Sequence, residues 1–542
     1  MIFFVQDLFV DHYKGGAELT SEAIIQGGLY PVNKVIASQL TPKIMEEYRH
    51  VYWIFGNFAD LSKECILYAT KNLNYSVIEY DYKFCSYRSP GKHALMAGKC
   101  DCHQGIGGKI ISLFYNNADV LWWMSQKQME IYHNFFPFLR NENSRVLSSV
   151  FSEETLAFIN NLDKTKKSDK WIILNSPSWI KGVDEAIEYA EKNNLEYELV
   201  WGLEHKEVLN KLASSKGTIF FPRAGDTCPR MTIEARLLDC ELILNDNVQH
   251  KDEKWFSNRE TTLEHLKKRT DIFWDDMEAI YTHFLPLPKI TDSLEYFSKE
   301  ENKFKFVIPF YNCEEWIAKC IRSVQKQTYG NFECVLVDDL STDNSVEIVK
   351  ELIHDDNRFK LVVNEEKKYA LGNIVGAIDG FNCEDEDVII LLDGDDWLAS
   401  RRTLSELNGA YDENTFMTYG SYAFNPTGQI GPEPSEYPSE VIENNSFRTD
   451  EWRASHLRSF KYKLWKNINL DDLKCDTGFY KMAYDQAIML PLLEMASERS
   501  KYIPTVLLVY NKLNPLNVDK VKAEEQAFTA QQIRQKKPYT RI

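Results

Sequence analysis

The sequence predicts an α/β protein of parallel sheets, laid out as three successive strand–helix modules. Apolar runs of roughly four to eight residues alternate with stretches of helical spacing along most of the chain, as in βαβ units with right-handed crossovers. The run Val388–Leu392 is apolar throughout, which suits a central parallel strand covered on both faces. With 542 residues the chain is long enough for about three or four domain-sized units.

The opening, MIFFVQDLFVDHYKGG, carries Asp7 and Asp11, no basic start and no long apolar core, so it reads as a buried first strand rather than a signal peptide. Strand-like runs follow at 51–57, 75–82 and 119–125. A polar, charged stretch around 162–170 then marks a break. Beyond it strands are expected at 171–175, 197–202, 217–222 and 241–246, with helices at 183–194, 205–215 and 230–239 between them. Residues 1–165 and 166–290 are therefore expected to form two doubly wound sheets facing each other across a cleft. Two prolines and a charged run make 291–303 a linker. The third module, 304–515, is expected to run strand 305–310, helix 314–327, strand 332–339, helix 345–355, strand 359–364, helix 371–381 and the strand ending in DGDDW. Trp316, Cys320 and Val324 give its first helix an apolar face. Residues 516–542 read as a helix and basic tail. From Asp519 it holds six basic and three acidic residues, a local charge of +3, and is expected to dock on the module before it.

Lys and Arg number 63 against 81 Asp and Glu, a formal net charge of −18 that argues against a broad basic nucleic-acid surface. Apolar residues at 44% and charged residues at 27% argue against disorder. No apolar stretch is long enough to span a bilayer. Eleven scattered cysteines do not make a disulfide framework, and a place in a reducing cytoplasm, or peripheral to its membrane, is expected. Cys100 and Cys102 stand beside His103, but no second ligand pair sits at zinc-like spacing, and no structural zinc is expected.

The chemistry concentrates at strand ends. Asp393, Asp395 and Asp396 crowd the end of the apolar run, and carboxylates this close repel one another unless a cation sits among them. Mn²⁺ or Mg²⁺ is the natural guest, since such ions favour oxygen ligands and accept substrate phosphates as further ones. An acidic turn or helix cap is the plainer alternative. Asp338 and Asp339, followed by Ser341, Thr342 and Asp343, end a second strand and suit hydrogen bonds to a base and ribose, or a capping turn. Pro309, Phe310, Tyr311 and Asn312 end a third.

These segments, VIPFYN, SVQKQTY, VDDLSTD and LLDGDDW, arrive in order and resemble a family 2 glycosyltransferase of GT-A fold over 304–515. The resemblance implies a nucleotide-sugar donor, a UDP-sugar above all. It places Pro309 and Tyr311 at the base, Asp338 or Asp339 on the base, Asp393 at the ribose and Asp395 on the metal. It makes Asp485 the general base of an inverting single displacement. Lys367 and Lys368 are its candidate donor-facing cations, with Lys368 preferred. The basic run of Arg458, Lys461, Lys463 and Lys466 reads either as a phosphate-facing loop, in which His456 would complete the metal shell, or as the solvated face of an amphipathic helix. The family's glycine after V-D-D is Leu340 here.

The first half resembles GT-B glycosyltransferases of the family 4 type. The carrying residues are Gly15-Gly16-Ala17-Glu18, Lys181-Gly182 and the segment from Phe220 to Asp246. The resemblance implies that Gly15, Gly16, Lys181, Arg223 and Asp226 face a donor, with Arg230 as a second candidate cation, and that Glu234 serves a retaining transfer. The function expected is thus a metal-dependent, inverting glycosyltransferase, bifunctional if the first half is active, acting in surface glycan or lipopolysaccharide synthesis. Its acceptor would be a glycan, a lipid-linked glycan or a nucleic acid. The alternatives are an enzyme glycosylating hydroxylated bases of viral DNA, a non-catalytic sugar- or nucleotide-binding protein, and a nucleotidyltransferase, whose Gly-rich phosphate loop FYNCEEW lacks.

Overall fold

The computed structural model describes residues 1–282, 285, 302–516 and 523–542. Most of the expected linker 291–303, and the start of the tail, lie outside these residues. The chain forms two compact units, one of Ile2–Gly28 with Val32–Phe284, the other of Met1 and Leu29–Pro31 with Leu285–Ile542.

The amino-terminal unit holds two parallel sheets. The first contains β1 (Ile2–Gln6), β2 (Val32–Ile36), β3 (Tyr52–Phe55), β4 (Asn74–Glu79), β5 (Leu121–Trp123) and β6 (Ser144–Val146), in the order β2-β1-β3-β4-β5-β6. Its strands are buried along their length at β1 and β3, which is why MIFFV and YWIF read as continuous apolar runs. Aromatic rings fill the core beside it. Phe55 meets Tyr75 and Phe114 edge-on, and Tyr75 stacks on Phe114 at 4.6 Å. The second sheet contains β7 (Trp171–Leu174), β8 (Tyr197–Val200), β9 (Gly217–Phe220) and β10 (Glu241–Leu244), in the order β10-β9-β7-β8. The expected helices form at Val183–Lys192, His205–Ser214 and Arg230–Leu237. The halves expected to separate near residue 165 are thus two sheets of one unit.

The carboxy-terminal unit is built on one eight-stranded mixed sheet. Its strands are β11 (Phe304–Phe310), β12 (Phe332–Asp338), β13 (Phe359–Val363), β14 (Val388–Leu391), β15 (Trp397–Leu398), β16 (Met417–Asn425), β17 (Arg458–Lys461) and β20 (Ser500–Asn511). They lie in the order β13-β12-β11-β14-β17-β16-β20-β15; β18 (Lys474–Cys475) and β19 (Gly478–Phe479) form a separate hairpin. The four strands from β13 to β14 are parallel, and β17 turns antiparallel to β14. Alternate residues of β11 divide between two cores. Phe304, Phe306, Ile308 and Phe310 pack with Ile317, Cys320, Ile321 and Val324 of the helix Ile317–Gln325, while Val307 faces Leu371, Ile374 and Ile378 of the helix Tyr369–Gly380.

The tail folds back on this unit. Ile533, on the helix Ala523–Arg534, is buried in the core, and Arg534 Nε donates to Gln486 Oε1 at 2.8 Å. Glu494 binds the buried Arg448 through both oxygens and accepts from the Tyr539 amide at 2.9 Å.

Candidate active site

The carboxy-terminal sheet delivers three strand ends to one edge. The chain moves outward from β11 to β13 and returns as β14 on the other side of β11, so the order reverses between β11 and β14. Ligands of open α/β sheets bind at such a reversal, beyond the carboxyl ends of the strands. The S-V-x-x-Q-T motif holds the edge together. Ser323 Oγ accepts from the Leu398 amide at 3.0 Å, and Gln327 donates to the carbonyls of Ser323 and Ser400 while accepting from the Leu404 amide. The loops after β11 and β12 are cross-linked as well. The Asn312 amide donates to Ser341 Oγ, that of Cys313 to Ser345 Oγ and that of Thr342 to Asn312 Oδ1. Ser341, Thr342 and Asp343 are therefore scaffold. At Gly394 a side chain would meet Phe310 Cβ at 2.5 Å, so the glycine between Asp393 and Asp395 lets the acidic loop press on the end of β11.

A cavity of about 340 Å³ opens here, lined among others by Pro309, Tyr311, Asp339, Asp393, Asp395, Asp396, His456 and Asp485. Asp339 is buried and accepts from the amides of Lys368 and Tyr369 at 2.8 and 3.1 Å. Asp338 does not line the cavity; its carboxylate accepts from the Ser341 amide and shapes the turn. That turn puts Leu340 at φ 66°, the left-handed region that glycine occupies freely. Lys367 rather than Lys368 lines the cavity, its ammonium 3.0 Å from the centroid of the Tyr311 ring.

The acidic cluster sorts itself in a way the linear spacing did not indicate. Asp393, Asp396 and His456 each place one ligand atom within 4.8 Å of the others. Asp395, expected among the ligands, lines the same cavity but accepts from Asn514 Nδ2 at 2.7 Å. Asp396 takes the Asn511 amide on Oδ1 at 2.8 Å, and its buried Oδ2 has no hydrogen-bond partner among the described residues. Burial and the neighbouring carboxylates push Asp396 well above the usual carboxylate range, and burial with Asp393 pushes Asp395 up to about 6. Burial and Arg458 hold His456 well below its ordinary value, which leaves the imidazole neutral and able to ligate. An orphaned carboxylate oxygen, a second carboxylate and a neutral imidazole fit a divalent ion.

Two groups at this site, Tyr484 and Lys481, lie outside the sequence expectations for donor, metal or base, and a third, Arg458, was expected only as one of a basic run. Tyr484 donates to Asp393 Oδ1 at 2.5 Å. Arg458, at the start of β17, is buried with Nη2 3.8 Å from Asp393 Oδ2, and its Nε and Nη1 have no partner among the described residues. Lys481 lies over Tyr369, 4.6 Å from the ring centroid. The basic run around Arg458 was the one signal for it; Arg458 and Lys461 are buried on β17, whereas Lys466 of the same run is exposed, and the run itself does not tell them apart. Asp485 stands in the first turn of the helix Tyr484–Ala496 and faces the cavity.

The amino-terminal unit has a second cavity, of about 310 Å³, at the reversal between β7 and β9 and the end of β4. Lys181, Asp226, Arg88 and Lys92 line it. Lys181 Nζ is 2.6 Å from Asp226 Oδ2. Gly182, at φ 62°, allows the approach, since a side chain there would collide with the Phe221 carbonyl. The other residues expected here are placed elsewhere. Glu234 is buried, accepting from Arg230 Nε at 3.1 Å and lying 2.7 Å from His205 Nε2, and does not line the cavity. Arg223 binds Asp184 and Glu185 at the start of the helix Val183–Lys192. Gly15 and Gly16 begin the helix Gly16–Gly27 and do not line the cavity either.

Residues 305–486, within the carboxy-terminal unit, match the model of glycosyl transferase family 2. The chain is 35% identical over 118 residues to an uncharacterized glycosyltransferase of Haemophilus influenzae, covering 22% of this chain and 46% of that relative. It is 28% identical over 213 residues to the UDP-Glc:alpha-D-GlcNAc-diphosphoundecaprenol beta-1,3-glucosyltransferase WfgD of Escherichia coli, covering 39% of this chain and 72% of WfgD. Among solved structures, S. aureus TarS 1-349 in complex with UDP-GlcNAc aligns with a TM-score of 0.31 at 19% identity, over 39% of this chain and 59% of that one. No helix among the described residues is long and apolar enough to cross a membrane.

Proposed function

We propose that the carboxy-terminal unit transfers a sugar, with inversion, from a nucleoside-diphosphate donor to a hydroxyl of a glycan acceptor in surface glycan synthesis. The observation that carries this reading is the convergence on one cavity of a base-facing strand end, a carboxylate–imidazole cluster and a separate carboxylate. Tyr311 and Asp339 stand where an aromatic face and an acceptor would receive the base. A divalent ion held by Asp393, Asp396 and His456 would neutralise the departing diphosphate. The free N–H groups of Arg458 suit the same negative charge. Asp485 takes the proton of the acceptor hydroxyl on a carboxylate oxygen as the hydroxyl attacks the anomeric carbon from the face opposite the diphosphate. The lipid-diphosphate acceptor in WfgD's name favours a lipid-linked glycan here, and the net charge of −18 disfavours DNA.

For the amino-terminal unit, which resembles GT-B enzymes in sequence, we assign binding of an anionic ligand rather than transfer. Lys181, Arg88 and Lys92 line its cavity, the first two paired with Asp226 and Asp81 of the same wall, so Lys92 supplies the net positive charge, whereas Glu234 is held away from it. The experiment is a screen of UDP- and GDP-sugars with Mn²⁺, read as nucleoside diphosphate release with and without glycan acceptors. Release is expected from the unaltered chain. Asp396→Asn should abolish it, Asp485→Asn should block transfer with donor binding retained, and Glu234→Ala should leave turnover unchanged. Donor affinity without release under any condition would establish a binding protein instead. Loss of all turnover in Glu234→Ala, with Asp485→Asn silent, would move the chemistry to the amino-terminal unit.

A further inference from the structure

The connection from β4 to the helix Ile106–Asn116 contains three cysteines and two histidines that the transferase chemistry leaves unused. Cys100 and Cys102 lack a partner pair in the linear sequence, but the fold supplies one in Cys85 and His93. We propose that Cys85, His93, Cys100 and Cys102 form a structural zinc site that pins this connection against the second cavity. All four ligand atoms lie within 4.8 Å of one another. Cys85 Sγ is 3.6 Å from Cys100 Sγ and 3.6 Å from His93 Nδ1, and Cys102 Sγ is 3.3 Å from His93 Nδ1. A tetrahedral ion with bonds of about 2.3 Å to sulfur and about 2.0 Å to nitrogen sets its ligand atoms roughly 3.5–3.8 Å apart. A disulfide would need about 2.05 Å between sulfurs, and the cysteines are free.

The Tyr87 ring stacks on His93 with centroids 4.7 Å apart. His103 takes no part and packs on Phe135 instead. Thiolates and imidazole select zinc over the hard ions that suit the acidic cluster, and four protein ligands make a closed site, hence a structural one.

A second observation says why the connection needs such a clamp. The helix Pro90–Ala97 buries none of its residues fully and leaves Leu95 and Met96 66% and 61% exposed, so apolar packing holds it only weakly. Yet the same stretch supplies Tyr87, Arg88, Ser89 and Lys92 to the cavity wall. With Cys85 before them and His93 after, the metal fixes those four residues.

The test is elemental analysis of the full chain purified under reducing conditions without chelator. One zinc per chain is expected, retained on dialysis and released by a mercurial thiol reagent. Cys100→Ser with Cys102→Ser should lower the zinc content at least tenfold, whereas His103→Ala and Cys475→Ser should keep it. Because the double variant also alters the fold's support, the unaltered chain is loaded with Co²⁺. Intense tetrahedral d–d bands with a thiolate charge-transfer band support the site. A chain free of zinc, a Cys85–Cys100 disulfide found by mass spectrometry, or octahedral cobalt would overturn it.

Discussion

The phenol of Tyr484 donates to Oδ1 of Asp393 at 2.5 Å, joining the helix that carries Asp485 to the acidic strand end across 91 residues of sequence. The proposed base and the proposed metal cluster are therefore registered to each other by one hydrogen bond to a carboxylate. Such bonds contribute about 1.5–3 kcal/mol. In Tyr484→Phe we expect kcat for transfer to fall about tenfold or more, and the carboxy-terminal unit to lose about 1.5–3 kcal/mol of stability. Steady-state diphosphate release beside a thermal melt measures both. Full activity in this variant would show that Asp485 is positioned by its helix alone.

Leu340 is held at φ 66° in the turn where the resembled family has glycine. A left-handed L-residue costs about 1–2 kcal/mol, and this side chain, 37% exposed, returns little by packing. Leu340→Gly should raise the stability of the carboxy-terminal unit by about 1 kcal/mol, seen as a higher urea midpoint at unchanged slope.

Gln327 satisfies two backbone carbonyls and one amide while nearly buried itself. Gln327→Ala takes the side-chain acceptor from the buried Leu404 amide, at about 1–3 kcal/mol for a buried polar group. Hydrogen exchange around Ser400–Leu404 should accelerate markedly, while peptides of the amino-terminal unit keep their protection.

His250 is fully buried, with Nδ1 unpartnered among the described residues and Nε2 3.3 Å from Thr232 Oγ1. Burial first, and then the charges of Arg236 and His265, bring its pKa down to about 3. The unfolded chain binds this proton below about pH 6.5 while the folded chain refuses it. Stability is therefore complete above pH 6.5 and falls toward pH 3 by roughly 1.4 kcal/mol per unit from this group. His250→Gln should make the acid side of the profile shallower by one proton, measured by urea titration at several pH values with exchange at 230–256 as the probe.

Much of the architecture was legible because each element declares itself locally. Val183–Lys192, Gly217–Phe220 and Phe332–Asp338 lie within a few residues of their expected bounds, since hydrophobic period and strand length are properties of short windows. The four family 2 segments likewise named the edge where the cavity opens. Their individual roles were less legible. SVQKQTY and the S-T-D run are scaffold rather than ligand groups, a distinction that depends on hydrogen bonds to residues about 30 to 80 positions away.

By itself the sequence determined the order of strands and helices, the acidic strand end and the carboxylate at Asp485, because apolar period and motif spacing are written along the chain. Only the tertiary structure decided that Asp396 joins Asp393 and His456 while Asp395 turns to Asn514. It likewise put Lys367 rather than Lys368 at the cavity, drew Glu234 into a buried network, and brought Cys85 and His93 to Cys100 and Cys102. The reason is physical: ligand sets and buried polar pairs are fixed by distances of a few ångströms between side chains remote in sequence. Packing and the need to satisfy every buried polar group choose among neighbours that the sequence alone leaves equivalent.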